Sequence, residues 1–111
     1  MHELSIALAL AEAAAEQVRI HGASRVRAVH VEIGTLTGVD PVLLREAFPA
    51  AATGILSGAR LDVVVIEARC RCFDCGEFPV TADGLRCPRC GSPAAEILAG
   101  RELHLTGLEI D

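Results

Sequence analysis

The 111-residue chain predicts an α+β fold: a three-stranded sheet covered by two helices, with an inserted four-cysteine lobe of zinc-ribbon type. Three observations carry the prediction. Two stretches, 4–21 and 41–58, repeat apolar residues at helical steps. Three others, 25–33, 60–68 and 101–110, are short and either alternating or β-branched. Two Cys-x-x-Cys pairs lie between the second and third of these strands. Strands on both sides of the cysteines make that segment an insertion, so the predicted units are residues 1–68 with 99–111, and residues 69–98.

In the first helix Leu4, Leu8, Ala11, Ala15 and Val18 recur at steps of four and three and mark the predicted core face, with Glu12, Glu16 and Arg19 on the wetter side. Alanine raises its intrinsic propensity, Glu3 suits the positive end of the helix dipole, and Gly22 ends it. The first strand puts Val29, Val31 and Ile33 on one side and Ala28, His30 and Glu32 on the other. His30 stands there as a lone histidine, and Gly34 closes the strand. Asp40-Pro41 is a capping residue followed by the residue favoured at the first helical position. Beyond it Leu43, Leu44, Ala47, Phe48, Ala51 and Ile55 continue a helical pattern. Pro49 interrupts it and predicts a kink, or two short helices meeting near Phe48.

Leu61, Val63, Val64, Val65 and Ile66 form a β-branched run that reads as a covered strand. The last strand alternates through Leu103 and Leu105, then changes phase across Gly107 to Leu108 and Ile110, which predicts a bulge. His104 falls at an ordinary exposed strand position.

Composition narrows the functions. The formal charge of −5 and the absence of Trp and Tyr argue against nucleic-acid binding, which needs clustered positive charge or stacking platforms. No apolar run approaches the roughly twenty residues that cross a bilayer, so no membrane span is expected. Five cysteines without a signal peptide point to a reducing compartment, the cytoplasm. No catalytic triad, phosphate loop or open catalytic metal site is recognisable, and an enzyme is not expected.

The chemistry sits in Cys72-Phe73-Asp74-Cys75-Gly76 and Cys87-Pro88-Arg89-Cys90-Gly91. Each pair puts two thiolates on one tight turn, and the following glycine permits a left-handed backbone that aims amides at the sulfurs. Four soft ligands suit a tetrahedral Zn(II) ion. Two disulfides or a redox pair would not require a duplicated knuckle, and a single bound iron would colour the protein. A closed four-thiolate site leaves no open coordination position, so it serves architecture. The apolar residues of this segment, chiefly Phe73, Phe78, Val80, Leu85, Ile97 and Leu98, are too few to order it unaided. Cys70 falls outside the knuckle spacing and reads as a bystander.

At the other end, the Met1 amine, the backbone nitrogens of His2 and Glu3, and the His2 imidazole are close enough to wrap one ion. Nitrogen donors in a tetragonal array favour Ni(II) or Cu(II). An ordinary exposed histidine explains the same residue. Asp40 reads as a cap, although a folded-back loop would bring it near that end.

The opening Met-His-Glu-Leu-Ser, the strand ending Ile33-Gly34, the helix with Phe48, and the late cysteine pairs together resemble the HypA/HybF nickel metallochaperones of hydrogenase maturation. The resemblance covers nearly the whole chain. It implies that Met1 (through its amine), His2 and Glu3 form a site for transient Ni(II), and that Cys72, Cys75, Cys87 and Cys90 hold structural Zn(II). The implied partners are a maturation GTPase and the large-subunit precursor of a [NiFe]-hydrogenase, with urease maturation as a further role. The expected state is a monomer or weak homodimer. From a different class, a zinc-ribbon adaptor would contact nucleic acid or a protein through 69–98, where Arg69, Arg71, Arg86 and Arg89 form a basic patch. Those arginines also suit plain compensation of thiolate charge.

Overall fold

The structure is a computed structural model that describes residues 2–81 and 84–111. Its elements run α1 (His2–His21), β1 (Val26–Gly34), α2 (Pro41–Ala51), a short 3-10 turn (Gly54–Leu56), β2 (Arg60–Ile66), β3 (Arg69–Cys72), β4 (Gly76–Pro79), β5 (Glu96–Ala99) and β6 (Leu103–Ile110). They build two three-stranded sheets, ordered β2-β1-β6 and β4-β3-β5. The first carries both helices on one face. The second belongs to the cysteine segment, whose strands Arg69–Cys72, Gly76–Pro79 and Glu96–Ala99 are too short to show a period in the sequence. The molecule is long and thin, 54 × 27 × 15 Å.

Within the first sheet β1 is central, parallel to β2 and antiparallel to β6. Helix α2 makes the crossover that a parallel β1–β2 pair requires. The main core lies between this sheet and the helices: Leu10, Val18, Val29, Val31, Ile33, Leu44, Phe48, Leu56 and Leu61 are all buried, with small alanines between them. Phe48 is the largest of the fully buried side chains at 1% exposed. Phe48→Ala is expected to cost about 3–5 kcal/mol, read as a fall in urea midpoint with unchanged slope. A cost below about 1 kcal/mol would mean that the site collapses around the smaller side chain.

Two sequence expectations are corrected, and a third is narrowed. The buried face of α1 is Ala7, Leu10, Ala11, Ala14 and Val18, whereas Leu4 and Leu8 are about half exposed. Alanines on several faces blur the apolar stripe, and the smallest residues are the ones that let the helix approach the sheet. β2 is an edge strand, not a covered one, with Val64 and Val65 exposed. Helix α2 runs through Pro49 without dividing at Phe48. Pro49 deprives the Arg45 carbonyl of its helical donor, yet the helix continues to Ala51 and the Ala52 N–H donates to the Phe48 carbonyl at 2.9 Å. The following turn buries Leu56 while Ile55 is exposed. The bulge in the last strand is present: the β1–β6 register shifts between His30 and Val31, where their partners are Gly107 and Leu105.

Candidate metal centres

The cysteine centre is built on two turns. β3 ends at Cys72, the chain turns through Phe73 and Asp74, and β4 begins at Gly76, which has a φ of 87°. The second knuckle closes through the Gly91 N–H donating to the Cys87 carbonyl at 2.8 Å and the Cys87 N–H donating to the Ser92 carbonyl at 2.9 Å. Gly91 has a φ of 73°. Both glycines occupy the left-handed region that the knuckle demands.

These turns bring the sulfurs of Cys72, Cys75, Cys87 and Cys90 within 4.8 Å of one another. Cys72 Sγ and Cys90 Sγ are 3.5 Å apart. Four thiolates about 2.3 Å from a tetrahedral ion would stand about 3.8 Å apart, so the donor set matches a zinc-sized centre in number, chemistry and spacing. No cysteine is in a disulfide. Cys70 is fully buried with Phe78, but it stands outside the four-sulfur group. It is a core residue of the lobe.

Crowding splits the thiols. Hydrogen bonding to Cys87 and then Cys90, together with desolvation, pushes Cys75 up to about 12. The Ser92 hydroxyl and then its N–H bring Cys90 down to about 6. A metal ion is the natural replacement for the protons that this cluster otherwise holds.

The basic patch is largely spent within the lobe. Arg69 pairs with Glu77 at 3.6 Å, Arg71 pairs with Glu96, and Arg86 donates to the Gly91 carbonyl at 3.0 Å. Phe73 is 90% exposed, so it adds nothing to the small core under the sulfurs.

At the amino end, Met1 and the His2 side chain lie outside the described residues. Glu3 is in the first turn of α1, half-buried, and its Oε2 accepts from the Asp40 N–H at 3.2 Å. Asp40 caps α2, its Oδ1 accepting from the N–H groups of Val42 at 2.9 Å and Leu43 at 3.3 Å. The capping reading of Asp40 stands, and the loop before α2 does fold back against the start of α1. The side-chain contact that does this comes from Glu3.

A second group escaped the sequence reading. His30, Asp62 and Glu109 present donor atoms within 4.8 Å of one another on the sheet face away from the helices. His30 is therefore not a lone histidine. The signal was the in-register pairing of His30 with Asp62, which only the strand alignment reveals. His104 is exposed opposite Glu32 and outside both groups.

Among the described residues no helix is long and apolar enough to cross a membrane. A sequence profile of the family described as hydrogenase/urease nickel incorporation, metallochaperone, hypA matches residues 1–110. The chain is 42% identical over 113 residues to a hydrogenase maturation factor HypA of Chlorobium limicola, covering 100% of this chain and 97% of that protein. It is 45% identical over 109 residues to that of Deinococcus radiodurans, covering 95% and 89%. The solution structure of the Ni metallochaperone HypA from Helicobacter pylori superposes with a TM-score of 0.70 at 28% identity, covering 99% of this chain and 97% of that one. Another HypA solution structure gives 0.72 at 30% identity, covering 100% and 97%. With the four sulfurs gathered and the match running from one end to the other, the chain belongs to the HypA family of metallochaperones that serve nickel incorporation into hydrogenase and urease.

Proposed function

We propose that this chain binds Ni(II) at its amino terminus and delivers it during maturation of a [NiFe]-hydrogenase, with urease as a further recipient. The observation that carries the reading is the family match over residues 1–110, which takes in the opening Met-His-Glu and both cysteine knuckles. Met1 through its amine, His2 and Glu3 are the proposed nickel ligands. Cys72, Cys75, Cys87 and Cys90 are the proposed zinc ligands, and their mutual approach within 4.8 Å supports that assignment. Residues 1–68 with 99–111 would form the nickel-handling unit, and 69–98 the zinc-held one. The proposed partners are a maturation GTPase and the precursor of the large hydrogenase subunit, met in the cytoplasm.

The chemistry suits a carrier. Amine, imidazole and backbone nitrogens select Ni(II), and they must be free of protons to bind it, so the site weakens as pH falls. Glu3 stands in the first turn of a helix, where ligands can open without unfolding the core. The Glu3 carboxylate accepts from the Asp40 N–H and links that turn to the start of α2, so nickel capture at the Glu3 backbone nitrogen would leave this carboxylate in place to hold the turn.

Calorimetric titration of zinc-loaded protein with Ni(II) tests the reading. Native protein is expected to bind near micromolar strength or tighter. Both His2→Ala and a version with two residues added before Met1 are expected to lose at least about 1.4 kcal/mol, tenfold in affinity. Equal binding by all three, or by none, would transfer the leading role to a zinc-ribbon adaptor function.

A further inference from the structure

The open face of the first sheet carries a second array of metal-ligating groups. The parallel register sets His30 on β1 beside Asp62 on β2, while the antiparallel register sets it opposite Gly107, with Glu109 opposite Ala28. His30 Nε2 lies 2.8 Å from Glu109 Oε2, and His30 Nδ1 lies 3.4 Å from Asp62 Oδ2. All three side chains are 37–38% exposed, so a hydrated ion reaches them without any opening of the fold. Three different strands hold them, which fixes their backbones together.

We infer that His30, Glu109 and Asp62 form a divalent-cation site of mixed nitrogen and oxygen donors, separate from the amino terminus and from the cysteines. His30 Nε2 and Glu109 Oε2 share a hydrogen bond at 2.8 Å, and an ion would replace the shared proton, two donors at right angles and about 2.1 Å from it standing about 3.0 Å apart. The two ring nitrogens face different carboxylates. The ion therefore takes Nε2 and Glu109 first, and an Asp62 oxygen, within 4.8 Å of the other two donor atoms, turns toward it. One imidazole and two carboxylates with the remaining positions left to water suit first-row ions such as Ni(II) or Zn(II), held weakly and exchanged readily.

Arg60 sets the strength. Its guanidinium contacts Glu109 Oε2 at 2.6 Å and Asp62 Oδ2 at 3.1 Å, so it already offers charge to the oxygens that an ion needs. It is 58% exposed and can swing into solvent. Entry of the cation and departure of Arg60 are thus one exchange, in which the carboxylates keep a positive partner throughout. An arginine here keeps the site from competing with a tight one and leaves it able to release what it takes.

The test uses the full zinc-loaded chain with two residues added before Met1, which removes the proposed amino-terminal site and makes the result independent of it. Nickel chloride is the probe, read by paramagnetic broadening of backbone amide signals together with calorimetry. Broadening is expected to centre on His30, Asp62, Gly107 and Glu109 at nickel concentrations below about 1 mM. His30→Ala and Glu109→Gln should each weaken it at least tenfold, His104→Ala should not move it, and Arg60→Gln should strengthen it at least twofold. The amide spectra show directly whether each variant is folded. No broadening at these residues, broadening that survives His30→Ala, or weaker binding in Arg60→Gln would overturn the inference. The last result would mark the cluster as an ion-pair clasp between strands.

Discussion

Withdrawing zinc is expected to unfold residues 69–98 and leave the helix-covered sheet standing. The lobe has very little else to hold it. Its buried core is Cys70, Cys72, Phe78 and Cys87, with Cys75, Val80, Ala94 and Ile97 packed partly against it. Three of the four buried residues are cysteines, and two of those are proposed ligands. Its strands are four residues each. Ordering each residue's backbone costs about 1–2 kcal/mol, and so small an apolar cluster cannot offset that for the whole segment. Binding of a structural zinc by such thiolates contributes about 10–16 kcal/mol, which is the scale required. Phe73, the one other aromatic of the lobe, faces solvent. A chelator, or Cys87→Ser, should therefore erase hydrogen-exchange protection at Cys70, Phe78 and Ile97, while Val29 and Val31 keep theirs. Protection lost equally in both parts would show that the sheets unfold together, and protection kept in the lobe would show that zinc is dispensable there.

Acid should do the same work. Zinc requires thiolates, and Cys75, pushed up to about 12 by its thiol neighbours, loses its proton to solvent at neutral pH only when a metal displaces it. Cys90, brought down to about 6 through Ser92, is largely thiolate above that value and takes up a proton below it. Protons therefore leave when zinc binds at pH 7, and acid, competing for the same sulfurs, releases it. The same spectra recorded down a pH series check the sign.

What could be read from the chain follows from how local each constraint is. A metal knuckle must place two sulfurs on one turn, so its geometry is written in adjacent residues, and Cys72, Cys75, Cys87 and Cys90 were identifiable from spacing. The central strand was legible for a similar reason, since Val29, Val31 and Ile33 alternate with little ambiguity. The helix face was not. In α1 the packing residues are Ala7, Ala11 and Ala14, and a hydrophobicity pattern ranks Leu4 and Leu8 above them although small size is what the close approach needs. β2 misled in another way: its valines describe a strand but say nothing of whether a neighbour covers its outer edge. The His30, Asp62 and Glu109 group arises from register alone, between positions 32 and 79 residues from His30, and no local signal carries it. Nor does any local signal link Glu3 to Asp40, because a loop and a helix start must meet first.

The largest single-residue effect outside the core is expected at Gly34. Here the two chain crossings between the sheets pass against the end of β1. The Gly34 N–H donates to the Glu102 carbonyl at 2.8 Å, the Leu36 N–H to the Gly100 carbonyl at 2.7 Å, and the Ala68 N–H to Thr35 Oγ1 at 3.0 Å. A Cβ on Gly34 would lie 2.1 Å from both the carbonyl carbon and the oxygen of Gly100, and 2.6 Å from Glu102 Oε1. The first two atoms are backbone, so no side-chain rotation relieves the overlap. Gly100 cannot retreat easily either: its φ is 117°, and the space on its other side is closed by Ala68.

Gly34→Ala must therefore part the crossings and break hydrogen bonds on both, at an expected cost above about 4 kcal/mol, a range reached only by the severest packing errors. Gly38→Ala is the proper comparison. Gly38 has a φ of 78° and open space around it, so it reports the conformational cost alone, about 1–2 kcal/mol. Urea unfolding of the two variants separates close approach from backbone preference, and equal midpoints would remove close approach as the reason for glycine at 34. The four cysteines do not touch this junction, so Gly34→Ala protein should still take up one zinc. What it should lose is the fixed direction in which the cysteine lobe leaves the helix-covered sheet, visible as altered orientation between the two sheets in residual dipolar couplings. The facing pair Gly34 and Gly100 maintains that direction, and the proposed delivery of nickel would use it.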